Sequence, residues 1–188
     1  MKVITVTGYK PMEMGIFKQD DERIVFVKET LRRRLLPMIE DGLEWVLISG
    51  QAGVELWTGE VILDLKEEGY EIQLGIFPPF LNQESRWPEP QQEQYLMMIE
   101  LADFYQPLYN KEYEGAYQFK AKDQWFLEKS EAMLVLFDED TKGSPSFIVE
   151  KAKHYAETHD YPIYIITPLD LQETVEQLQM ENPDYWAD

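Results

Sequence analysis

Residues 44–56, with the sequence EWVLISGQAGVEL, predict a buried β-strand that leads directly into a tight turn and then into a helix. The small residues Ser49, Gly50, Ala52 and Gly53 allow the backbone of this turn to approach a ligand closely. The first N–H groups of a helix have no acceptor within the helix and lie at the positive end of its dipole. We therefore expect the turn to hold an anion such as a phosphate.

The glycine spacing in this turn differs from the known nucleotide-binding patterns. Gly50 and Gly53 complete neither G-x-G-x-x-G nor the P-loop pattern G-x-x-x-x-G-K-[ST]. A strand-to-helix turn without any ligand is the alternative interpretation.

The composition predicts one globular domain over residues 1–188, since 44% of the residues are hydrophobic and the length suits one core. No apolar run reaches the roughly 20 residues of a membrane span, and we expect no membrane association. The absence of cysteine excludes disulfides and thiolate metal sites. Residues 1–8 enter a strand without the features of a signal peptide, which predicts a cytoplasmic location.

The charge is strongly acidic, with a net value of -19 at pH 7. Nonspecific binding of nucleic acids depends on lysine and arginine side chains that neutralise phosphates. On this ground the sequence predicts that direct nucleic-acid binding is not favoured.

Short apolar runs alternate with longer helical patterns, which indicates an α/β fold: a Rossmann-like three-layer sandwich around a mostly parallel sheet. Continuously apolar strands are typical of sheets that are covered on both faces. The strands are predicted at 2–7, 45–49, 72–77, 103–106, 132–137 and 163–167. The helices are predicted at 21–40, 54–67, 90–101, 119–129, 146–158 and 168–179, with residues 78–90 as a long loop.

Ligands of open α/β sheets bind beyond the carboxyl ends of the strands, so we expect the binding residues in the segments that follow them. Tyr9 and Phe80 offer aromatic ring faces to a nucleobase, and their alternative role is core packing. The small and polar residues of these segments can contact phosphate and ribose oxygens. The candidates from these segments are Gly8, Tyr9, Lys10, Ser49, Gly50, Gln51, Gly53, Phe80 and Gly143.

Glu55 is the most informative carboxylate because it lies in the first turn of the helix after the glycine turn. It can hold a ribose hydroxyl, act as a base, or complement the helix dipole. No nucleophile elbow or H-E-x-x-H motif accompanies it. The acidic loop 138–140 can in principle bind magnesium, but an ordinary loop is the preferred interpretation, and we predict no protein-held metal and no cofactor.

Four segments in combination resemble the YpsA family over nearly the whole chain: residues 7–11 (TGYKP), 48–57 (ISGQAGVELW), 118–126 (QFKAKDQWF) and 143–145 (GSP). That family is placed in the SLOG superfamily, which includes the DNA-processing protein DprA and the LOG phosphoribohydrolases. The resemblance implies a Rossmann-like fold and a nucleotide-derived ligand such as ADP-ribose. It also implies a link to bacterial cell division and stress physiology, with a division protein as a partner.

The resemblance also assigns residues to the expected site. Ser49, Gly50, Gly53 and Glu55 match the glycine-rich turn of the superfamily, and Gly143 and Ser144 match its second small-residue loop. Lys120, Lys122 and Gln124 occupy a basic and polar stretch that is similar to the Arg-Asn-Arg region of DprA, with Asp123 in place of its Asn. The Pro-Gly-Gly-x-Gly-Thr-x-x-Glu motif of the LOG enzymes is absent, so their hydrolase activity is not carried over.

Three functions remain open from the sequence. The leading hypothesis is a nucleotide-sensing regulator without catalytic activity. The alternatives are a nucleotide N-glycosidic hydrolase with Glu55 as its catalytic carboxylate, and a protein-interaction scaffold that needs no ligand. A homodimer is expected from the frequency of such assemblies among soluble proteins.

Overall fold

In the part of the chain that the structure describes, six strands form one sheet in which every neighbouring pair is parallel, in the order β4-β3-β2-β1-β5-β6. The computed structural model describes residues 1–182 and 184; the rest of the predicted 1–188 domain, residues 183 and 185–188, lies outside the described residues. The strands are β1 (Val3–Thr7), β2 (Trp45–Ile48), β3 (Gln73–Ile76), β4 (Phe104–Tyr105), β5 (Ala132–Leu136) and β6 (Ile163–Ile166).

The central strands are buried on both faces, as their apolar sequences predict. Every residue of β5 is buried, and so are the last four residues of β1. In the register of the sheet, Thr5 is aligned with Leu47 of β2 on one side and with Met133 of β5 on the other. The α/β prediction is therefore confirmed, with a sheet that is parallel throughout.

Helices cover both faces of this sheet. Right-handed crossovers put helices on one face while the strand order advances from β1 to β4, and on the other face after the order reverses to β5 and β6. In agreement, α2 packs against α1 and α3 on one face, and α4 packs against α5 on the other. Helix α6 follows the last strand and packs against α1 on the first face. No described helix combines the length and apolarity that a bilayer span requires. The helices are α1 (Glu22–Glu40), α2 (Val54–Glu67), α3 (Glu89–Leu101), α4 (Tyr117–Lys129), α5 (Pro145–Ala156) and α6 (Pro168–Glu181).

The main differences from the predicted elements lie at the edge of the sheet and at helix ends. Strand β4 has only two residues; it lies at one edge of the sheet, and both of its side chains are exposed. Helix α4 begins two residues earlier than predicted. A 3₁₀ turn at Pro11–Met14, which the sequence pattern did not indicate, follows β1.

The strand order reverses at β1, which lies between β2 and β5. The connection that leaves β1 runs to one face of the sheet, and the connection that leaves β5 runs to the other. Because the two connections diverge, a crevice opens beyond the carboxyl ends of these strands. The segments after β1, β2 and β5 therefore meet at one edge of the sheet.

Candidate functional site

A cavity of about 490 Å³, which we call the central cavity, opens at this edge between α4 and α5. Its volume falls within the usual range of small-molecule sites. The segments after β1 and β2 form its floor, and α4 and α5 form its walls. The lining residues include Thr7, Gly8, Lys10, Ser49, Gln51, Glu55, Gln83, Phe119, Lys120, Lys122, Asp123, Ser144, Phe147, Ile148, Glu150 and Lys151.

Glu55 lines this cavity, but its carboxylate is engaged by the protein itself. Its Oε1 accepts hydrogen bonds from the Ser49 N–H and from the Ser49 hydroxyl, both at 2.7 Å. Its Oε2 accepts a hydrogen bond from the Thr7 hydroxyl at 2.9 Å. The side chain is only 5% exposed. Glu55 thus joins the ends of β1 and β2 to the first turn of α2.

The start of α2 differs from the open anion cradle that the sequence predicts. The N–H of Val54, the first helical residue, donates to the carbonyl of Tyr9 at 3.1 Å. Gly53 has a φ of +99°, and a methyl group there would collide with that same carbonyl oxygen. Gly53 therefore allows a close contact with the segment after β1, and the first amide of the helix already has an acceptor.

The other two residues of the turn have separate positions. Gly50 has a φ of +85° and packs against Tyr95 and Ile76 instead of lining the cavity. Gln51 lies on the cavity wall. The Ser49 carbonyl accepts a hydrogen bond from the side-chain amide of Gln83 at 2.8 Å, which ties the turn to the long loop after β3.

Tyr9 belongs to the core and not to the cavity wall. Its ring is buried and stacks on Phe137 with a centroid distance of 6.3 Å. Its hydroxyl donates to the carbonyl of Thr141 at 2.5 Å and accepts from the N–H of Asp138 at 2.8 Å. Burial raises the pKa of this phenol. Tyr9 therefore anchors the loop after β5, while Lys10 next to it is exposed and faces the cavity.

The second small-residue loop is held by a residue that the sequence did not indicate. The Glu13 carboxylate accepts from the N–H and the hydroxyl of Ser144, both at 2.6 Å, and from the N–H of Lys10 at 2.8 Å. Burial alone raises the pKa of Glu13, but the hydrogen bonds from Ser144 and Lys10 outweigh it and leave the pKa below its ordinary value. Gly143 makes this contact possible, because a side chain there would collide with Glu13. Ser144 still lines the cavity.

The basic stretch on α4 divides into paired and unpaired charges. Buried Asp123 forms an ion pair with Lys122 at 2.8 Å, and Lys151 of α5 lies 3.9 Å from its other oxygen. Within residues 1–182 and 184, the ammonium group of Lys120 has no hydrogen bond or ion pair. Gln124 faces away from the central cavity and donates to Glu128 at 2.8 Å. Lys120 is therefore the cation of this stretch that can attract a ligand.

Two phenylalanine side chains provide aromatic surface at the cavity. Phe147 of α5 is 70% exposed and Phe119 of α4 is 41% exposed, and both line it. Phe80, the aromatic residue predicted from the sequence, lies behind Phe119 in an edge-to-face contact with a centroid distance of 5.5 Å.

Several cavity residues were not predicted from the sequence. Phe119 and Asp123 belong to the segment 118–126 that carries the family resemblance, so that segment contained a signal for them. Nothing local distinguishes Gln83 or Phe147, whose roles depend on the folded arrangement. The unpredicted lining residues are Thr7, Pro79, Gln83, Ala116, Phe119, Asp123, Pro145, Phe147, Ile148, Glu150 and Lys151. Glu13, which holds Ser144 without lining the cavity, was not predicted either.

The comparisons with known proteins agree with the fold and the motifs. The YpsA family model, described as the YspA SLOG family, matches residues 4–171. A UPF0398 protein of Oceanobacillus iheyensis is 50% identical over 186 residues, which cover 99% of this chain and 100% of that protein. A UPF0398 protein of Bacillus cereus is 47% identical over 184 residues, which cover 98% and 100% of the two chains.

A solved structure shares the fold at low sequence identity. It is DNA processing protein A from Helicobacter pylori, whose structure concerns its single-stranded DNA binding mode. The match has a TM-score of 0.56 and 12% identity, and it covers 96% of this chain and 81% of that chain. At this identity the match shows a common fold.

This structural match corrects the prediction that direct nucleic-acid binding is not favoured. The prediction used the net charge of -19. A protein of the same fold binds single-stranded DNA, and here Lys10 and Lys120 both line one cavity of an acidic chain. Local positive charge can attract phosphate even when the net charge of the molecule is negative. The net charge therefore does not exclude nucleic-acid binding.

Proposed function

The chain belongs to the YspA SLOG family, and from this membership we propose that its central cavity binds a nucleotide-derived ligand of the ADP-ribose type and that binding, not catalysis, is its function. The observation that carries the proposal is the meeting of unpaired lysine charge and exposed aromatic rings at one cavity. A nucleotide offers the two matching features, an anionic phosphate and a flat base.

The phosphate side of the cavity is formed by Lys10 and Lys120. Both are exposed lysines that line the cavity, whereas the N–H and the hydroxyl of Ser144 at the start of α5 already donate to Glu13. Hydrogen bonds between an ammonium group and a phosphate are charge-assisted and about twice as strong as neutral ones. We therefore assign the phosphate to the rim formed by Lys10 and Lys120.

The base side is formed by Phe119 and Phe147, which belong to different helices. Every nucleobase has an aromatic face, and stacking on such a ring contributes about 1–3 kcal/mol per base. Gln83 and Thr7 also line the cavity; the Gln83 amide donates to the Ser49 carbonyl and the Thr7 hydroxyl donates to Glu55, so the Thr7 oxygen is left as an acceptor for a ribose or a base edge.

The engagement of Glu55 favours binding over hydrolysis. Both of its oxygens accept hydrogen bonds from Thr7 and Ser49, whereas a nucleophile or base of a glycosidase has to reach the sugar. An assay for free base after incubation with NAD or with nucleoside monophosphates tests this point. Release of base that depends on Glu55 would overturn the non-catalytic proposal.

Isothermal titration with AMP, ADP-ribose and NAD tests the binding itself, with adenosine as the probe that lacks phosphate. We expect the phosphate-bearing probes to bind and adenosine to bind more weakly. Lys120→Gln should weaken binding about tenfold, which corresponds to the roughly 1.5 kcal/mol of a hydrogen bond to a charged group. Lys129→Gln is the matched control, because Lys129 is an exposed lysine of the same helix that does not line the cavity. Absence of binding by every probe would overturn the proposal.

Single-stranded DNA is the second candidate ligand. The match to DNA processing protein A supports it, and so does the combination of lysines with exposed aromatic rings that single-strand binding proteins use. Fluorescence anisotropy with a labelled oligothymidylate, and competition by ADP-ribose, distinguishes the two candidates. A role in cell division or in stress physiology, which the sequence resemblance implies, stays a prediction.

A further inference from the structure

A second cavity of about 470 Å³, which we call the outer cavity, adjoins the central cavity. Both cavities are lined by Gln83 and Phe119, so they share one wall. A ligand that extends from the central cavity past Phe119 therefore enters the outer cavity. The outer cavity lies between the loop after β3 and the segment before α4.

The aromatic surface continues into the outer cavity. Phe80, Tyr113 and Phe119 contact one another in all three pairs, with centroid distances of 5.3, 5.5 and 5.8 Å. Tyr113 is 57% exposed, although it packs on the other two rings. The three rings thus form a wall on which a second flat group can stack.

A cation accompanies this wall. Arg86 lines the outer cavity and is exposed, and it has no hydrogen bond or ion pair with any other residue in the described part of the chain. Glu112, the carboxylate of the same cavity, accepts a hydrogen bond from the side-chain amide of Asn82 at 2.8 Å. Arginine suits a site of this kind because its planar guanidinium both stacks on rings and forms paired hydrogen bonds with phosphate.

The two loops that enclose the outer cavity are joined by backbone hydrogen bonds. The Leu81 N–H donates to the Lys111 carbonyl at 2.9 Å, and the Leu108 N–H donates to the Pro78 carbonyl at 2.8 Å. Gln118, which is fully buried, accepts from the N–H groups of Glu114 and Gly115 and fixes the end of the second loop. A cavity that is already formed costs little ordering when a ligand binds.

We propose that the outer cavity is a second nucleobase site, and that the preferred ligand carries two bases joined through phosphate. The inference rests on the proposed function of the central cavity, which takes the first base and its phosphate. Tyr113 stacks on the second base, and Arg86 contacts the linking phosphate or the edge of that base. A mononucleotide has one ring and leaves this wall uncovered.

Two kinds of molecule share this chemistry, and the test separates them. One is a free dinucleotide with a 5′–5′ phosphate bridge, and the other is a strand with 3′–5′ linkages. Titrations use AMP as the one-base probe, diadenosine diphosphate as the 5′–5′ probe and the dinucleotide pdApdA as the 3′–5′ probe. We expect at least one two-base probe to bind the unmodified protein about tenfold more tightly than AMP, as one further stacked base predicts. The two-base probe that binds more tightly identifies the linkage that the site prefers.

Tyr113 and Arg86 variants assign the gain to the outer cavity. The two-base advantage is the ratio of the affinity for the better two-base probe to the affinity for AMP. Tyr113→Leu and Arg86→Gln should each reduce it to about threefold or less, with AMP binding unchanged. Tyr113→Phe keeps the ring and should keep the advantage. Because Tyr113 and Arg86 are exposed, we expect the variants to fold, and their thermal unfolding is measured alongside.

The possible results separate the two proposals. Equal binding of AMP and both two-base probes to the unmodified protein overturns the second site while the central cavity stands. A two-base advantage that survives both Tyr113→Leu and Arg86→Gln overturns it as well. If no probe binds at all, the proposed function fails together with the inference.

Discussion

Glu13 and Ser144 are joined by two hydrogen bonds of 2.6 Å, in which the carboxylate accepts from both the N–H and the hydroxyl of the serine. The two residues are 131 positions apart in the sequence. Their contact connects the 3₁₀ turn after β1 to the start of α5 across the edge of the sheet. It supplies the negative charge that the N-terminus of a helix favours.

Glu13→Gln should destabilise the protein by about 1–2 kcal/mol at pH 7, because the amide replaces a charged acceptor of three hydrogen bonds. Urea unfolding measures the difference in free energy. Glu71→Gln is the control, since Glu71 is exposed and makes no hydrogen bond or ion pair with the described residues.

The same variant has a defined pH dependence. The pKa of Glu13 is lowered in the folded protein, so its carboxylate stabilises the fold above the unfolded-state pKa of about 4.3. This contribution is lost as the pH falls through the lower, folded-state pKa. The gap between the unmodified protein and Glu13→Gln should therefore be full at pH 7 and shrink below about pH 4. A gap that does not change with pH would contradict the assignment.

Gly53→Ala should cost at least about 1 kcal/mol more than Gly69→Ala, because only the first adds a collision to backbone strain. Both glycines have a φ near +100°, but a methyl group at Gly69 meets no atom within 4 Å, whereas one at Gly53 collides with the Tyr9 carbonyl. Thermal unfolding of the two variants gives the comparison. Equal losses of stability in the two variants would mean that the segment after β1 moves away from the added methyl group at little cost.

Glu55→Ala should destabilise the protein by about 2–3 kcal/mol, because it leaves the buried Ser49 N–H and the Thr7 hydroxyl without their acceptor. Glu55→Gln should cost clearly less, since its amide oxygen still accepts from Ser49 and its amide nitrogen can donate to Thr7. Denaturant unfolding of both variants measures which one loses more stability. A Glu55→Gln variant as unstable as Glu55→Ala would show that the negative charge itself is required.

Phe147→Ala should weaken nucleotide binding about tenfold or more while it changes stability little, because the ring is 70% exposed. Phe17→Ala is the matched control, since Phe17 is 77% exposed and lies away from the central cavity. Titration with ADP-ribose compares the two variants. Similar affinity in both would remove Phe147 from the site.

The elements with local signals were predictable from the sequence. Continuously apolar runs predict β2 and β5, and two helix starts carry capping residues. Asp21 accepts from the N–H of Arg23 at 2.9 Å, and Thr167 accepts from the N–H of Asp170 at 3.3 Å, as N-caps do. These interactions span two or three residues, so the sequence pattern contains them.

From the sequence, we could predict which segments reach the site but not which of their side chains line it. Ser49, Lys10 and Lys120 line the cavity, whereas Tyr9 is buried in the core, Gly50 packs against Tyr95, and Gln124 faces another surface. A residue that follows a strand comes to the right edge of the sheet, but the direction of its side chain depends on packing by distant segments. The hydrogen bond of Gln83 to Ser49 spans 34 residues, and no local pattern indicates it.

The hydrogen bond from the Val54 N–H to the Tyr9 carbonyl has a consequence for selectivity. Because that amide already has an acceptor, it does not contribute to the proposed phosphate site, where the charge comes from lysine side chains at the rim, which are long and adjustable. Such charges are screened at high ionic strength and adapt to phosphates in different positions. On the proposed function, we therefore expect the site to distinguish ligands by their flat ring systems and to tolerate variation in how their phosphates are arranged.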